Sequence, residues 1–367
     1  MRMLYWPMLI IFFVLGCTQK QPSDQFKELD ELISQEFKNN EPGGSVIIVK
    51  DEQIVFSKSV GVADIRTGEP ITSKTLFNTG SISKTFVSNT ILLLADERKL
   101  SLNDPLYKYF PSFKNKSIAQ KVKIHHLLTH TSGLPDNRRE FLDSVALLTA
   151  NDRQNFAPLM LCDSLLFEPG SHFEYSNPAF NGLALIIEHV TGKKWQEVVV
   201  EKIFKPASMP TSKITDGPYP QAGVAHAYLQ INGNYIEKDY GEEPTFAAAG
   251  NGGVWSSTEE LANYELAIRK SVFLNREALK RSRTISRFAN WKSEIPAFIG
   301  YSWFIEKYDS IQIVAHTGTQ GGFYADYVSI PKKKLLYVIL CNRPFPREAF
   351  REKVLGYLKS ENWLSSL

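Results

Sequence analysis

Phe26, Leu29, Ile33 and Phe37 recur every three to four residues, the spacing of one helical face, and Ser23 precedes them as a possible cap. Residues 45–50 and 54–60 are rich in β-branched side chains, and Asp51-Glu52 between them predicts a hairpin. Residues 81–94 are apolar nearly all round. A helix without a polar face predicts a buried, central position. The middle of the chain reads as helix and loop. Residues 122–129 predict a short helix, Glu168-Pro169-Gly170 a turn, and Asn177 with Pro178 behind it the cap of a helix running to Gly192. Residues 247–253 are small and glycine-rich, and 258–268 are helical in pattern. Residues 311–315, 322–330 and 335–341 predict strands, and Phe350, Val354 and Leu358 mark a last helix after Pro346. Strands at both ends with helices between predict one antiparallel sheet completed by both termini, with a helical insertion.

The first residues change the picture of where the chain works. Arg2 is followed by an apolar run over residues 8–15, too short to span a bilayer comfortably, so a cleaved signal is expected. Val14-Leu15-Gly16-Cys17 resembles a bacterial lipobox. That resemblance implies cleavage before Cys17, a lipid on its sulfur and an exported lipoprotein held at the cell envelope. Residues 18–24 read as a polar tether. The expected organisation is a signal and lipidated cysteine over 1–17, the tether, and one catalytic domain over 25–367. Within it a sheet lobe takes 25–75 and 245–367, and a helical lobe 76–244. Net charge is +3 with no basic run, which gives nucleic-acid binding no support. Cys162 and Cys341 are expected as unpaired, mostly buried thiols.

Three short motifs supply the chemistry. Ser81-Ile82-Ser83-Lys84 sets a serine and a lysine one helical turn apart. A second Ser-x-x-Lys, Ser329 to Lys332, contains Pro331 and cannot do so. Desolvation of Lys84 on a buried helix favours its neutral amine, a base for the Ser81 hydroxyl. Tyr175-Ser176-Asn177 places a phenol beside a helix start. There, a helix dipole and a Lys84 ammonium are expected to favour phenolate, making Tyr175 a general base and later an acid. Asn177 is expected to bond Lys84 and the substrate's amide. His316-Thr317-Gly318 falls on a strand. The Thr319 N–H is expected as an oxyanion donor beside that of Ser81, and the hydroxyls of Thr317 and Thr319 as carboxylate ligands. His316 is expected to titrate near neutrality against the same carboxylate. His126 and His130 stand four residues apart, but no His-Glu-x-x-His accompanies them, and no metal is expected.

Together with residues 77–84, 100–105, 126–134, 173–177 and 252–257, these motifs resemble the serine β-lactamase-related family of class C β-lactamases, DD-carboxypeptidases, D-aminopeptidases and related esterases. The resemblance implies an α+β, β-lactamase/transpeptidase-like fold: an antiparallel sheet flanked by helices, with a mostly helical second lobe. It also implies an acyl-enzyme on Ser81 and no cofactor. The chain departs from most β-lactamases in having His-Thr-Gly where they have Lys-Thr-Gly, and residues 301–315 hold no arginine to replace that cation. The expected function is a serine hydrolase acting on D-amino-acid-containing peptides, peptidoglycan stems among them. A β-lactamase or carboxylesterase is the alternative, and a catalytically silent penicillin-binding or scaffold protein is the alternative of another class.

Overall fold

The computed structural model describes residues 25–143, 150–214, 223–237 and 249–364. The expected signal segment, Cys17, the tether and the Ser23 cap lie outside the described residues. Among those described, no helix is long and apolar enough to cross a membrane.

Six antiparallel strands form the central sheet: β1 (Gly44–Lys50), β2 (Gln53–Val60), β3 (Phe304–Tyr308), β4 (Ile311–Gln320), β5 (Phe323–Ile330) and β6 (Leu335–Cys341). Their spatial order is β3-β4-β5-β6-β1-β2, so the first strand of the chain docks on the last. Ile47 faces Val338 and Val49 faces Leu336 across that junction. The β1–β2 turn is carried by Asp51 and Glu52, both at positive φ (47° and 69°). This backbone matches the twist of a two-residue hairpin, although neither residue is glycine or asparagine.

Successive side chains of β1 point to opposite faces, and both faces are buried. On one face Val46, Ile48 and Ile339 pack against two terminal helices, α1 (Lys27–Glu36) through Leu29 and Ile33, and α6 (Arg347–Ser360) through Phe350 and Val354. On the other face Ile47, Val338 and Leu340 join one continuous core with α2 (Ser83–Asp96), α4 (Asn177–Thr191) and α5 (Thr258–Arg269). Between α2 and α4 in sequence lies a shorter helix, α3 (Asp152–Met160). The central helix expected at 81–94 is therefore present and buried. Its first turn, Gly80–Ile82, is a 3-10 turn.

Three boundaries differ from the sequence reading. Strand β4 runs on through the His-Thr-Gly motif to Gln320, because β5 supplies a pairing partner for each residue from Val314 to Gln320. Strand β3, which alternation did not predict, is an edge strand held by β4 alone. The cap of α4 is Ser176, whose hydroxyl accepts from Ala179 N at 3.3 Å, so Asn177 is the first helical residue. Cys162 and Cys341 are unpaired and buried.

A buried ionic cluster ties α5 to the sheet. The Glu265 carboxylate, fully buried, accepts from Arg283 (2.6 and 2.9 Å), Arg269 (2.8 Å), the Tyr327 hydroxyl (2.6 Å) and the Ser329 hydroxyl (2.5 Å). Burial opposes its charge, but Arg283 and Arg269 outweigh burial and hold the carboxyl well below the usual glutamate range. Its contribution to stability is thus complete above the ordinary glutamate pKa and fades as pH falls below it. Glu265→Gln leaves Arg283 charged and buried without its counter-ion, which should cost about 3–5 kcal/mol by urea unfolding at pH 7. A loss under ~1 kcal/mol would show that the cluster is not structurally important.

Candidate active site

The site begins with two glycines. Gly80, at φ 53°, lies so close to strand β4 that a Cβ there would sit 2.6 Å from Thr319 N. A Cβ on Gly318 would sit 2.0 Å from the Thr79 carbonyl oxygen. Only a backbone bare on both sides allows the turn carrying Ser81 to lie against the strand carrying Thr319. The 3-10 turn then runs into α2 and sets Lys84 on the same face as Ser81.

Lys84 Nζ lies 2.9 Å from Ser81 Oγ and donates to the Asn251 carbonyl at 2.7 Å. The side chain has no solvent exposure. Among the described residues no carboxylate pairs with it. Burial, reinforced by the Arg138 guanidinium, pushes its pKa well below the ordinary lysine value. A neutral amine is thus favoured beside the Ser81 hydroxyl, at the contact that the Ser-x-x-Lys spacing predicts. The second bond of Lys84 goes to Asn251 rather than to Asn177. Asn177 lines the cleft beside Ser81.

Tyr175 reaches the site from the loop before α4 and faces Ser81. Its ring lies 5.2 Å from Lys84 Nζ and stacks on His130, with centroids 4.4 Å apart. Here the sequence expectation fails. Burial raises the phenol to about 12, and the Ser81 hydroxyl counters it only in part. An uncharged Lys84 supplies no ammonium to favour phenolate, and desolvation penalises the anion. A neutral phenol is thus favoured at Tyr175 in the resting site.

His130 was read from sequence only as part of a segment near the site. It holds a positive φ of 55°, and its Nδ1 accepts from Ser176 N at 3.0 Å. That bond places its proton on Nε2. Burial, then Lys84 and His316, keep it neutral. His316, fully buried on β4, turns Nδ1 to the Thr317 carbonyl at 2.7 Å. Burial and Lys84 lower its pKa to about 3. It carries no charge near neutral pH, so the expected titration against a substrate carboxylate is corrected.

A permanent cation comes instead from a distant part of the chain. Arg347, the first residue of α6, donates through Nη1 to the Gly318 carbonyl at 3.0 Å and to Thr319 Oγ1 at 3.2 Å. Its other nitrogens bind Glu348. No local pattern links residue 347 to the motif on β4; only the fold brings them together.

Ser81, Asn177, Asn251, Thr319 and Gln320 line a cleft of about 410 Å³. Asp136, Arg138 and Arg139 complete it, so the described residues that line it are polar or charged. Arg138 is locked by Asp136 (2.8 Å from both Nε and Nη2) and by Asn155 (2.7 Å). Among the described residues, no group of three or more His, Cys, Asp or Glu side chains is arranged to hold a metal. The arrangement offers a nucleophile, a neutral amine base, a neutral phenol acid and two backbone segments in contact.

Known proteins are similar to this chain in sequence and fold. Penicillin-binding protein 4* of Bacillus subtilis is 26% identical over 331 residues, covering 85% of this chain and 71% of its own length. Protein flp of Staphylococcus aureus is 28% identical over 330 residues, covering 87% of this chain but 64% of its own length. The chain thus spans about two thirds of these relatives. The solved penicillin-binding protein homologue of Pyrococcus abyssi superposes with a TM-score of 0.77 at 24% identity, over 92% of this chain and 77% of that one. The profile of the Beta-lactamase family matches residues 26–358, and with the sheet, the central helix and the Ser81–Lys84–Tyr175 constellation in place, the chain belongs to that family.

Proposed function

We propose that the protein is a serine hydrolase that forms an acyl-enzyme on Ser81, with peptides ending in D-amino acids as its first substrate class. The observation that supports the chemistry is the 2.9 Å contact between Ser81 Oγ and a buried, uncharged Lys84. The Lys84 amine takes the Ser81 proton as Oγ attacks the substrate carbonyl. The N–H groups of Ser81 and Thr319 receive the developing oxyanion. Tyr175, a phenol in the resting state, hands a proton to the leaving nitrogen and recovers one from Lys84. Water then enters, and the same pair removes its proton and returns one to Ser81.

The walls support this substrate class. The described lining is polar or charged, which favours a peptide over an apolar acyl group. Arg347 holds the Thr319 hydroxyl from behind, so a carboxylate bound by Thr317 and Thr319 also meets a cation. A C-terminal peptide carboxylate fits this end of the cleft. A β-lactam, which also carries a carboxylate, fits as well, whereas a simple ester does not use it. The lipid anchor expected at Cys17 completes the proposal by setting the enzyme at the envelope, where peptidoglycan is made.

The assigning experiment is intact-mass detection of acyl-enzyme across D-Ala-D-Ala peptides, β-lactams and activated esters. Wild type should gain one acyl mass on Ser81, and Ser81→Ala none. Stoichiometric acylation of the alanine variant elsewhere in the cleft would remove the assignment.

The protonation states give a pH profile. Acylation needs neutral Lys84, so its rate should rise with pH along one limb well below the ordinary lysine range, then stay level. Tyr175, raised to about 12, should add no alkaline limb below pH 11. Tyr175→Phe should lower the rate by ~10²-fold while keeping the acid limb. An alkaline limb near pH 8–9 that Tyr175→Phe abolishes would return Tyr175 to the phenolate role.

Arg347→Ala should raise KM about 10- to 100-fold for a carboxylate-ended substrate, the scale of one charged hydrogen bond, and leave a matched methyl ester unchanged. Equal effects on acid and ester would mean that Arg347 only braces β4, and the esterase reading would gain.

A further inference from the structure

The acceptor that steadies Lys84 is a backbone carbonyl in a loop, and a loop carbonyl can turn away. Asn251 lies in the small, glycine-rich stretch that precedes strand Val254–Ser256. What fixes it comes from the other side of the cleft. Asp152, the first residue of α3, is 7% exposed. Its Oδ1 accepts from Gly250 N at 2.8 Å and from Asn181 Nδ2 at 2.7 Å. The same Asn181 amide lies 3.4 Å from Asn251 Oδ1. Asp152 Oδ2 accepts from Trp195 Nε1 at 2.7 Å. One carboxylate thus grips Gly250 directly and Asn251 through Asn181, at the residue whose carbonyl holds Lys84 and the one before it.

We infer that Asp152 is a positioning residue for acylation: it clamps the Gly250–Asn251 loop so that the Asn251 carbonyl stays aimed at Lys84. The inference rests on the acyl-enzyme reading above. Three donors from three elements converge on this carboxylate, the 250–251 loop, α4 and the short helix Trp195–Val199. Gly250 is also seated tightly, since a Cβ there would lie 2.7 Å from the Phe180 carbonyl oxygen. Burial raises the Asp152 carboxyl to about 7, and its hydrogen bonds to Gly250, Asn181 and Trp195 only partly oppose this. Desolvated charge of this kind is a poor way to gain stability, because a neutral, well-packed side chain commonly does as well. In its ionised form Asp152 holds all three N–H groups at once, because a carboxylate accepts on every side and donates nowhere.

Alanine in its place removes Oδ1, so Gly250 N loses its acceptor, Asn181 loses the anchor through which it holds Asn251, and Lys84 loses a fixed acceptor. Thr319 and Arg347 lie outside this network. The effect should therefore fall on the chemical step and spare binding.

The test is single-turnover acylation of the full chain by the p-nitrophenyl ester of N-acetyl-D-alanine. Burst amplitude counts acylable molecules, and the concentration dependence separates the limiting rate constant from half-saturation. Asp152→Ala should lower the limiting rate constant about 10- to 100-fold, with half-saturation within about 3-fold of wild type. Trp195→Phe, which frees only the oxygen remote from the loop, is the control. It should keep a near wild-type rate constant even where it lowers the unfolding temperature. Should Asp152→Ala fail to fold, Asn181→Ala cuts the link to Asn251, together with one donor to the carboxylate, and carries the same expectation. An unchanged rate constant per acylable site in Asp152→Ala, or an equal fall in Trp195→Phe, overturns the inference, because the carboxylate then serves only the fold. Absence of any burst in wild type would instead overturn the acyl-enzyme reading.

Discussion

The burial of one amine governs this site. Lys84 sits in the core with no carboxylate beside it among the described residues, and Arg138 adds a like charge to its field. An ammonium there would be costly, so the side chain is held as a free base. Everything around it follows from that neutrality. Ser81 finds a lone pair instead of a cation. Tyr175 finds no positive charge to draw off its proton and remains a phenol. Burial keeps His130 and His316 uncharged as well. The apolar core that stabilises α2 is thus also what sets the acid–base order of the site.

The sheet makes that burial possible. The two terminal helices cover one face, and α2, α4 and α5 cover the other, so α2 is enclosed along most of its length. The ionic cluster at Glu265 ties α5 to β5 from beneath. Charge is tolerated in this interior where a full set of partners meets it, as at Glu265, and is removed where none does, as at Lys84.

Much of this was legible in the chain. The Ser81–Lys84 spacing, the buried character of α2, the hairpin β1–β2 and the closing strands come from local periodicity, which packing did not override. The same residues could not give the state of Tyr175. Its proton depends on how far His130 and the helical lobe seal it from water, which is a property of the assembled fold. His316 failed for the same reason, since a histidine on a strand looks half-exposed until the sheet is covered on both sides. Arg347 was invisible because it lies some thirty residues beyond the strand it supports. Asn251 acts through its backbone, which no side-chain motif records. Strand β3 escaped because an edge strand with one partner needs little alternation.

The bare backbone at Gly80 and Gly318 has a consequence for how such a protein can change. The gap between the Ser81 turn and the Thr319 strand is set by atoms that are missing, since either Cβ would overlap the opposite main chain. The walls of the cleft come from loops and side chains that can be exchanged one at a time. The spacing at its floor cannot be adjusted in small steps, because the smallest available step is a methyl group where less than a methyl group fits. A lineage built on this floor is free to wander among substrates while its reaction geometry stays frozen.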